Sequence, residues 1–410
     1  MKSLMPSPRL LRLEIAKLWT RDQSIWSPRQ LLAGDGSFFS KSSSLNVKRS
    51  TKSRFFMYEE HAGAKLDDED GPTQILHLSP AELSEKLTVR APVRGGEDDS
   101  YYYWTSPISD VAPGLFQEMK GFENLHAANS NRMLDPRGPS LWMGSSGSAT
   151  QAHYDVADNV IVQLFGTKRI RCYSPKGASA LHVFPDAHPR ARKSQVNFDR
   201  PDYDAYPNFS TLPDPVIDVT LLPGDALFIP AFWFHHVEAD TRKREDLSSS
   251  PSPSVSLNMF ALSKSMTIAQ GIFRDGSRPF INSAVVDPIV ALTALSRGLF
   301  SGLNLGHKPS EFIKNELLDA RYAPLRRNNP KDSDNGDTEV RTRRSLTASE
   351  MERVDNCIAR LLPQFSSLSE GDEDGGIVSL VLCHLLELWA VELVGAHAVA
   401  DAWEETLHLQ

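Results

Sequence analysis

His153 and Asp155 stand two residues apart in Ala152-His153-Tyr154-Asp155-Val156-Ala157-Asp158-Asn159, and two further imidazoles follow in Pro230-Ala231-Phe232-Trp233-Phe234-His235-His236-Val237. Residues i and i+2 of an extended strand share a side, so His153 and Asp155 can converge on one ion while Tyr154 faces away. Two imidazoles and a carboxylate on one face of an octahedron leave the opposite face open to small molecules. That is the layout of an oxygen-activating ferrous site; zinc would prefer four-coordinate closure. A His-x-Asp triplet alone is cheap, since most such residues are hydrogen-bonded or exposed, and its weight comes from its surroundings.

Strands must carry these groups. Val156 to Phe165 is β-branched and apolar, breaks at Gly166-Thr167-Lys168 and resumes as Arg169-Ile170-Arg171-Cys172-Tyr173, which predicts a hairpin. Val216 to Leu222 alternates like a strand, Pro223-Gly224-Asp225 is turn chemistry, and Ala226 to Pro230 is a second strand that delivers the histidine pair at its end. Lys168, at the hairpin tip, is placed to point inward and meet a carboxylate of a bound acid; the blander reading is a solvated turn lysine. Tyr101-Tyr102-Tyr103-Trp104 reads as an aromatic edge strand packed on the core. Asn258, in the alternating run Val255 to Phe260, is a buried amide that needs partners.

The stretches His153 to Pro175, Ser194 to Phe209 and Leu222 to Val237 resemble the JmjC/cupin-type 2-oxoglutarate oxygenases, and the likeness covers residues 100 to 262. Within them the chain is most similar to the branch of the tRNA wybutosine hydroxylase, then to that of the asparaginyl hydroxylase of hypoxia-inducible factor. The resemblance implies a mainly β fold, a double-stranded β-helix (jelly-roll, cupin/JmjC) core with flanking and C-terminal α-helices. It implies Fe(II) held by His153, Asp155 and His235, the first histidine of the pair, with His236 a neighbour facing outward. Lys168 would hold the distal carboxylate of 2-oxoglutarate with Thr150 and Tyr103, and Asn159 and Asn258 would line the pocket floor. Dioxygen is the other co-substrate and ascorbate the reductant.

Three features favour the tRNA branch: Asp155-Val156-Ala157-Asp158-Asn159, Phe232-Trp233-Phe234, and Arg192-Lys193-Ser194-Gln195-Val196. The protein hydroxylase has a glutamine at the position of Lys193; a lysine cannot accept a hydrogen bond as that amide oxygen would. Lys193, with Arg192, would instead meet phosphate or the carboxylate of a modified base. The implied reaction is hydroxylation of the wybutosine-type guanosine of phenylalanine tRNA. The alternative is a protein hydroxylase of the same fold acting on asparagine or histidine.

Charge runs against a nucleic-acid partner: 44 Lys+Arg against 52 Asp+Glu leave −8 over 410 residues. The basic residues do cluster, at Lys48-Arg49 with Lys52 and Arg54, Arg190 to Lys193, Arg242 to Arg244, Arg326-Arg327, and Arg341 with Arg343-Arg344. Cys172, Cys357 and Cys383 lack metal-type spacing, so a reduced cytoplasmic or nuclear setting is expected. No apolar run reads as long enough to span a bilayer, and no membrane partner is expected. Met1 to Trp19 reads as a short amphipathic helix, with no counterpart of the proline-containing strand that opens the family.

The expected organisation is a flanking region over 1–99 that supports the barrel, the oxygenase core over 100–285, and a helical region over 286–410 with a disordered stretch at 326–346. Phe38 to Ser53, Arg94 to Asp99, Lys243 to Pro253 and acidic Leu66 to Gly71 read as loops. Helices are expected over Pro309 to Leu318, Thr347 to Leu362 and Gly376 to Leu407. Ile377 to Trp389 is apolar on more than one face and needs a partner, either the core or a second copy in a homodimer through the C-terminal helices.

Overall fold

The computed structural model describes residues 7–33, 39, 44–51, 73–88, 100–119, 134–239, 252–280, 286–303, 308–328, 343–370, 372 and 375–409. They fall into two compact units, one built from 6–173 and 214–263, the other chiefly from 174–213 and 264–410.

The first unit is a jelly roll. Its described strands are β1 (Arg9–Leu11), β2 (Leu45–Ser50), β3 (Gln74–Leu78), β4 (Tyr101–Pro107), β5 (Ser140–Gly144), β6 (Ala149–Tyr154), β7 (Asp158–Phe165), β8 (Lys168–Tyr173), β9 (Ile217–Leu221), β10 (Ala226–Ile229), β11 (Phe234–Ala239) and β12 (Ser254–Ala261). They form an eight-stranded sheet in the order β1-β10-β7-β12-β5-β4-β2-β3 and a four-stranded sheet in the order β6-β11-β8-β9. Consecutive strands that alternate between two antiparallel sheets are the mark of this fold. Between the sheets, Ile161, Leu227 and Ile229 of the large sheet meet Ile170, Cys172 and Leu221 of the small one. The other face of β7 sends Val160, Val162 and Leu164 into a larger core with Leu31, Leu83 and Ile108. Burial on both faces explains why β7 reads as a continuous apolar run.

Several expectations are corrected here. β7 and β8 do not form a hairpin: β7 pairs with β10 and β12, and β8 with β11 and β9. The break at Gly166 turns the chain from one sheet to the other. Gly166 has φ +64°, and a Cβ there would lie 2.2 Å from the Pro253 carbonyl oxygen, so only glycine fits. The aromatic strand β4 is not an edge, because β5 and β2 flank it. The histidine pair is carried by β11, after a turn that follows β10. Arg9–Leu11 is a strand paired with β10, so helix is confined to Glu14–Trp19 in the segment read as wholly helical; residues 1–6 lie outside the described residues. Leu45–Ser50, read as loop, is a strand whose Leu45 and Val47 turn into the core. The loop readings at Leu66 to Gly71 and Arg94 to Asp99, and most of Lys243 to Pro253, lie outside the described residues.

The second unit is helical, with helices at Lys264–Gly276, Pro288–Leu303, Ala348–Ser369, Gly376–Val394 and Val399–Leu407. The first was not anticipated; the second falls within the region expected to be helical, though its bounds were not read. Pro309–Phe312 runs on through a π-helical stretch, Ile313–Tyr322, into Ala323–Asn328. Thr347 and Glu350 form a capping box that starts Ala348–Ser369. The stretch read as disordered over 326–346 is helical at its start, and at its far end Arg343 pairs with Asp287 and Glu405; residues 329–342 lie outside the described residues.

Helix Gly376–Val394 packs on Lys264–Gly276, Pro288–Leu303, Ala348–Ser369 and Val399–Leu407. Trp389, fully buried, donates its indole N–H to the Gly276 carbonyl at 2.8 Å. The apolar faces thus find partners inside the chain and do not themselves call for a second copy. By length and composition this helix is long and apolar enough to cross a bilayer, contrary to the sequence reading, with 61% of its apolar window buried within the protein as in a core helix.

Candidate metal centre

His153 and His235 are direct cross-strand partners on β6 and β11, with ring centroids 4.2 Å apart. Asp155 follows β6 immediately, and its Oδ2 lies 3.6 Å from His235 Nε2. One ligand atom from each of the three can be chosen so that all lie within 4.8 Å of one another. Each ring is also oriented: His153 Nδ1 meets the Gln151 carbonyl at 2.8 Å and His235 Nδ1 meets the Trp233 carbonyl at 3.1 Å. A neutral imidazole that donates from Nδ1 presents its lone pair at Nε2, the state a metal ligand needs. The donor set, one carboxylate and two pre-oriented imidazoles, therefore fits a metal ion.

Two hydrogen bonds tie the ligand-bearing segments together. The Phe232 N–H donates to the Asp155 carbonyl at 2.7 Å, and the Ala231 N–H donates to Asp158 Oδ1 at 2.8 Å. They hold a tight turn in which Phe232 has φ +67°, an unusual conformation for an aromatic residue, stabilised by its ring stacking on Tyr154. Asp158 was read from the sequence only as part of a pattern; its structural work depends on a partner over seventy residues away.

His153, Asp155, His235, Lys168, Thr150, Tyr103, Asn159 and Asn258 all line one cavity. Lys168 is buried and donates to Ser256 Oγ; burial pushes its ammonium down to about 7. Tyr103 is hydrogen-bonded to Thr150, and burial raises its phenol well above the usual range. Tyr102 and Trp104, on the opposite face of β4, enter the core instead. Asn159 Oδ1, Asn258 Oδ1 and Trp142 Nε1 are buried without a partner among the described residues. Two orphaned acceptors and one orphaned donor around a cavity suit a polar ligand, and the buried Lys168 ammonium suits an anionic group on it. Trp142 was missed, although strand alternation sets it on the same face as Gly144, which also lines the cavity.

His236 lies on the other side of β11 from His235. It faces away from the cavity yet is buried, 1% exposed, with Nε2 3.6 Å from Glu238 Oε1. Arg192 and Lys193 belong to the helical unit, on segment 174–213. Of the other basic runs, Arg326 pairs with Asp401 and Glu404, Arg343 with Asp287 and Glu405, and Arg344 with Glu350. Arg242 to Arg244 and Arg341 lie outside the described residues.

Residues 52–260, half of the chain, match the family described as Cupin-like domain. The chain belongs to the cupin-like family. Among curated proteins, this cupin-like chain is 34% identical over 160 residues to tRNA wybutosine-synthesizing protein 5 of Homo sapiens, covering 34% of this chain and 44% of that protein. It is 39% identical over 163 residues to the Mus musculus protein of the same name, covering 35% and 44%. Lysine-specific demethylase 8 of Xenopus tropicalis is 35% identical over 100 residues, covering 24% of this chain and 22% of that protein. The matched part thus spans less than half the length of these relatives.

Proposed function

We propose that this cupin-like chain is an Fe(II)- and 2-oxoglutarate-dependent hydroxylase whose substrate is the wybutosine-type modified guanosine of phenylalanine tRNA. The observation that carries the reading is the cluster of His153, Asp155 and His235 in the same cavity as the buried Lys168. His153, Asp155 and His235 would hold the iron through Nε2, a carboxylate oxygen and Nε2. When bound, the ferrous ion lets dioxygen oxidise 2-oxoglutarate to succinate and carbon dioxide while the second oxygen atom enters a substrate C–H bond as a hydroxyl, with ascorbate as reductant of the resting site.

The chain's own residues bind and orient. Lys168, kept in its ammonium form by the negative charge of the bound carboxylate, would pair with the distal carboxylate of 2-oxoglutarate, with Tyr103 and Thr150 sharing that carboxylate and Asn159, Asn258 and Trp142 lending polar groups alongside. The apolar walls, Ile161 and Val237 among them, exclude water from the reacting centre. Arg192 and Lys193 would meet tRNA phosphate or the carboxylate of the modified base. The relatives named for wybutosine synthesis support this substrate, and three buried free cysteines support a reducing compartment, cytoplasm or nucleus.

A formal charge of −8 favours the second reading, a protein hydroxylase. Succinate production by the iron-loaded protein separates the two when bulk tRNA and a peptide pool are compared as stimulants. Stimulation by tRNA with gain of one oxygen on the hypermodified guanosine is expected; stimulation by peptides alone would replace the tRNA reading. Lys193→Glu should weaken the tRNA response and spare uncoupled 2-oxoglutarate decay.

A further inference from the structure

Within the helical unit, one residue grips both ends of a basic loop. The Phe184 N–H donates to the Lys193 carbonyl at 2.9 Å and the Gln195 N–H to the His182 carbonyl at 2.9 Å, closing a loop over 184–193. At its start, Asp186 Oδ2 accepts from Arg321 NH1 at 2.9 Å. Just past its end, Gln195 Nε2 donates to the Arg321 carbonyl at 2.8 Å. Glu387 completes the clamp: its Oε1 accepts from Arg321 NH1 at 3.1 Å, and its Oε2 accepts the Asp186 backbone N–H. The three charged side chains are 3%, 8% and 1% exposed for Arg321, Asp186 and Glu387.

The grip depends on local helix geometry. Arg321 lies near the end of the π-helical stretch Ile313–Tyr322, and Pro324 follows three residues on. Proline has no N–H, so Pro324 cannot donate back into the helix. Next to Arg321, the Ala320 carbonyl meets His182 Nδ1 at 2.9 Å. Burying one guanidinium and two carboxylates carries a desolvation penalty that apolar packing would avoid. What the arrangement provides is a single loop geometry, and the loop so held carries Arg192, exposed and at φ +69°, beside Lys193. A non-glycine residue stays at positive φ only where its surroundings over-determine it.

We propose that Arg321 is a positioning residue that, through Asp186, Glu387 and Gln195, fixes the 184–193 loop so that Arg192 and Lys193 meet an anionic substrate in one conformation. This rests on the tRNA reading above. The test compares wild type with Arg321→Met, Arg321→Lys and Glu387→Gln, by amide hydrogen exchange in the substrate-free protein and by succinate kinetics with and without bulk tRNA. For Arg321→Met the Phe184 and Gln195 amides should exchange at least ~10-fold faster, because the loop opens locally. KM for tRNA should rise ~10-fold, with kcat and tRNA-independent 2-oxoglutarate decay little changed, and Arg321→Lys should recover part of the loss. Glu387→Gln keeps an acceptor for the Asp186 N–H and should shift both readouts in the same direction by less, so it serves if Arg321→Met does not fold. Unchanged exchange in both variants would overturn the clamp. Faster exchange with an unchanged KM would overturn the loop's role in substrate binding. A wild-type protein that tRNA does not stimulate would overturn the tRNA reading and with it this role, whatever the exchange shows.

Discussion

Burial alone pushes the Lys168 ammonium down to about 7, with Ser256 its hydrogen-bond partner. The folded pKa lies below the unfolded value near 10.5, so at and below neutral pH the ligand-free protein bears the cost of a buried charge that a dicarboxylate would offset. Above pH 7 binding must take up a proton, so 2-oxoglutarate affinity should fall by up to ~10-fold per pH unit there. Calorimetry in buffers of different ionisation enthalpy checks this: proton uptake on binding at pH 8 is expected, and a pH-independent affinity with no uptake would contradict it. Lys168→Ala should raise the KM for 2-oxoglutarate ~10-fold or more, the loss of a charge-assisted contact. His153 and Asp155 were legible in sequence because their i, i+2 spacing carries their geometry, whereas Lys168 was legible through the family resemblance, since the hairpin it was placed on does not form. Trp142 and Asp158 were not, because an indole in an apolar strand and an aspartate after a turn declare themselves only through partners distant in sequence.

Between sheets, the decisive element is the two-residue connection Gly166-Thr167. Its composition reads as a hairpin turn, and the strands it joins are correctly placed to within two residues; their pairing is not, because partners for β7 and β8 come from β10, β12, β11 and β9. Gly166→Ala forces a side chain into a positive-φ position and against the Pro253 carbonyl. A loss of about 2 kcal/mol or more in chemical denaturation is expected. Because Lys168 follows the turn directly, KM for 2-oxoglutarate should rise in the same variant; wild-type stability would show that the corner tolerates a Cβ. Helix Pro288–Leu303 carries its own start signal, Asp287 before Pro288, with Asp287 Oδ1 accepting from the Ile289 and Val290 N–H groups, yet Asp-Pro reads equally as a turn; Thr347 and Glu350 cap Ala348–Ser369 in the same way.

Across the whole molecule, all three cysteines are buried, and burial pushes Cys172 to about 12, Cys357 to about 11 and Cys383 to about 12. A thiol reagent at pH 8 should therefore leave the native protein unlabelled and take three equivalents after denaturation, and rapid native labelling would contradict the burial. The grouping of 174–213 with the C-terminal helices was invisible in sequence, since it is held by pairs such as Asp186 with Arg321 and Glu387. The apolar helix Gly376–Val394 left open whether its partner was this chain or another; its neighbours within the unit answer for the chain. The most direct test of the metal centre is an anaerobic Fe(II) titration of wild type and of His153→Ala, Asp155→Ala, His235→Ala and His236→Gln. The expected result is one ion per wild-type chain, affinity lowered ~100-fold or more in the first three variants, and near wild-type binding in His236→Gln. Retention of the ion by Asp155→Ala, or its loss from His236→Gln while His235→Ala keeps it, would contradict the assignment.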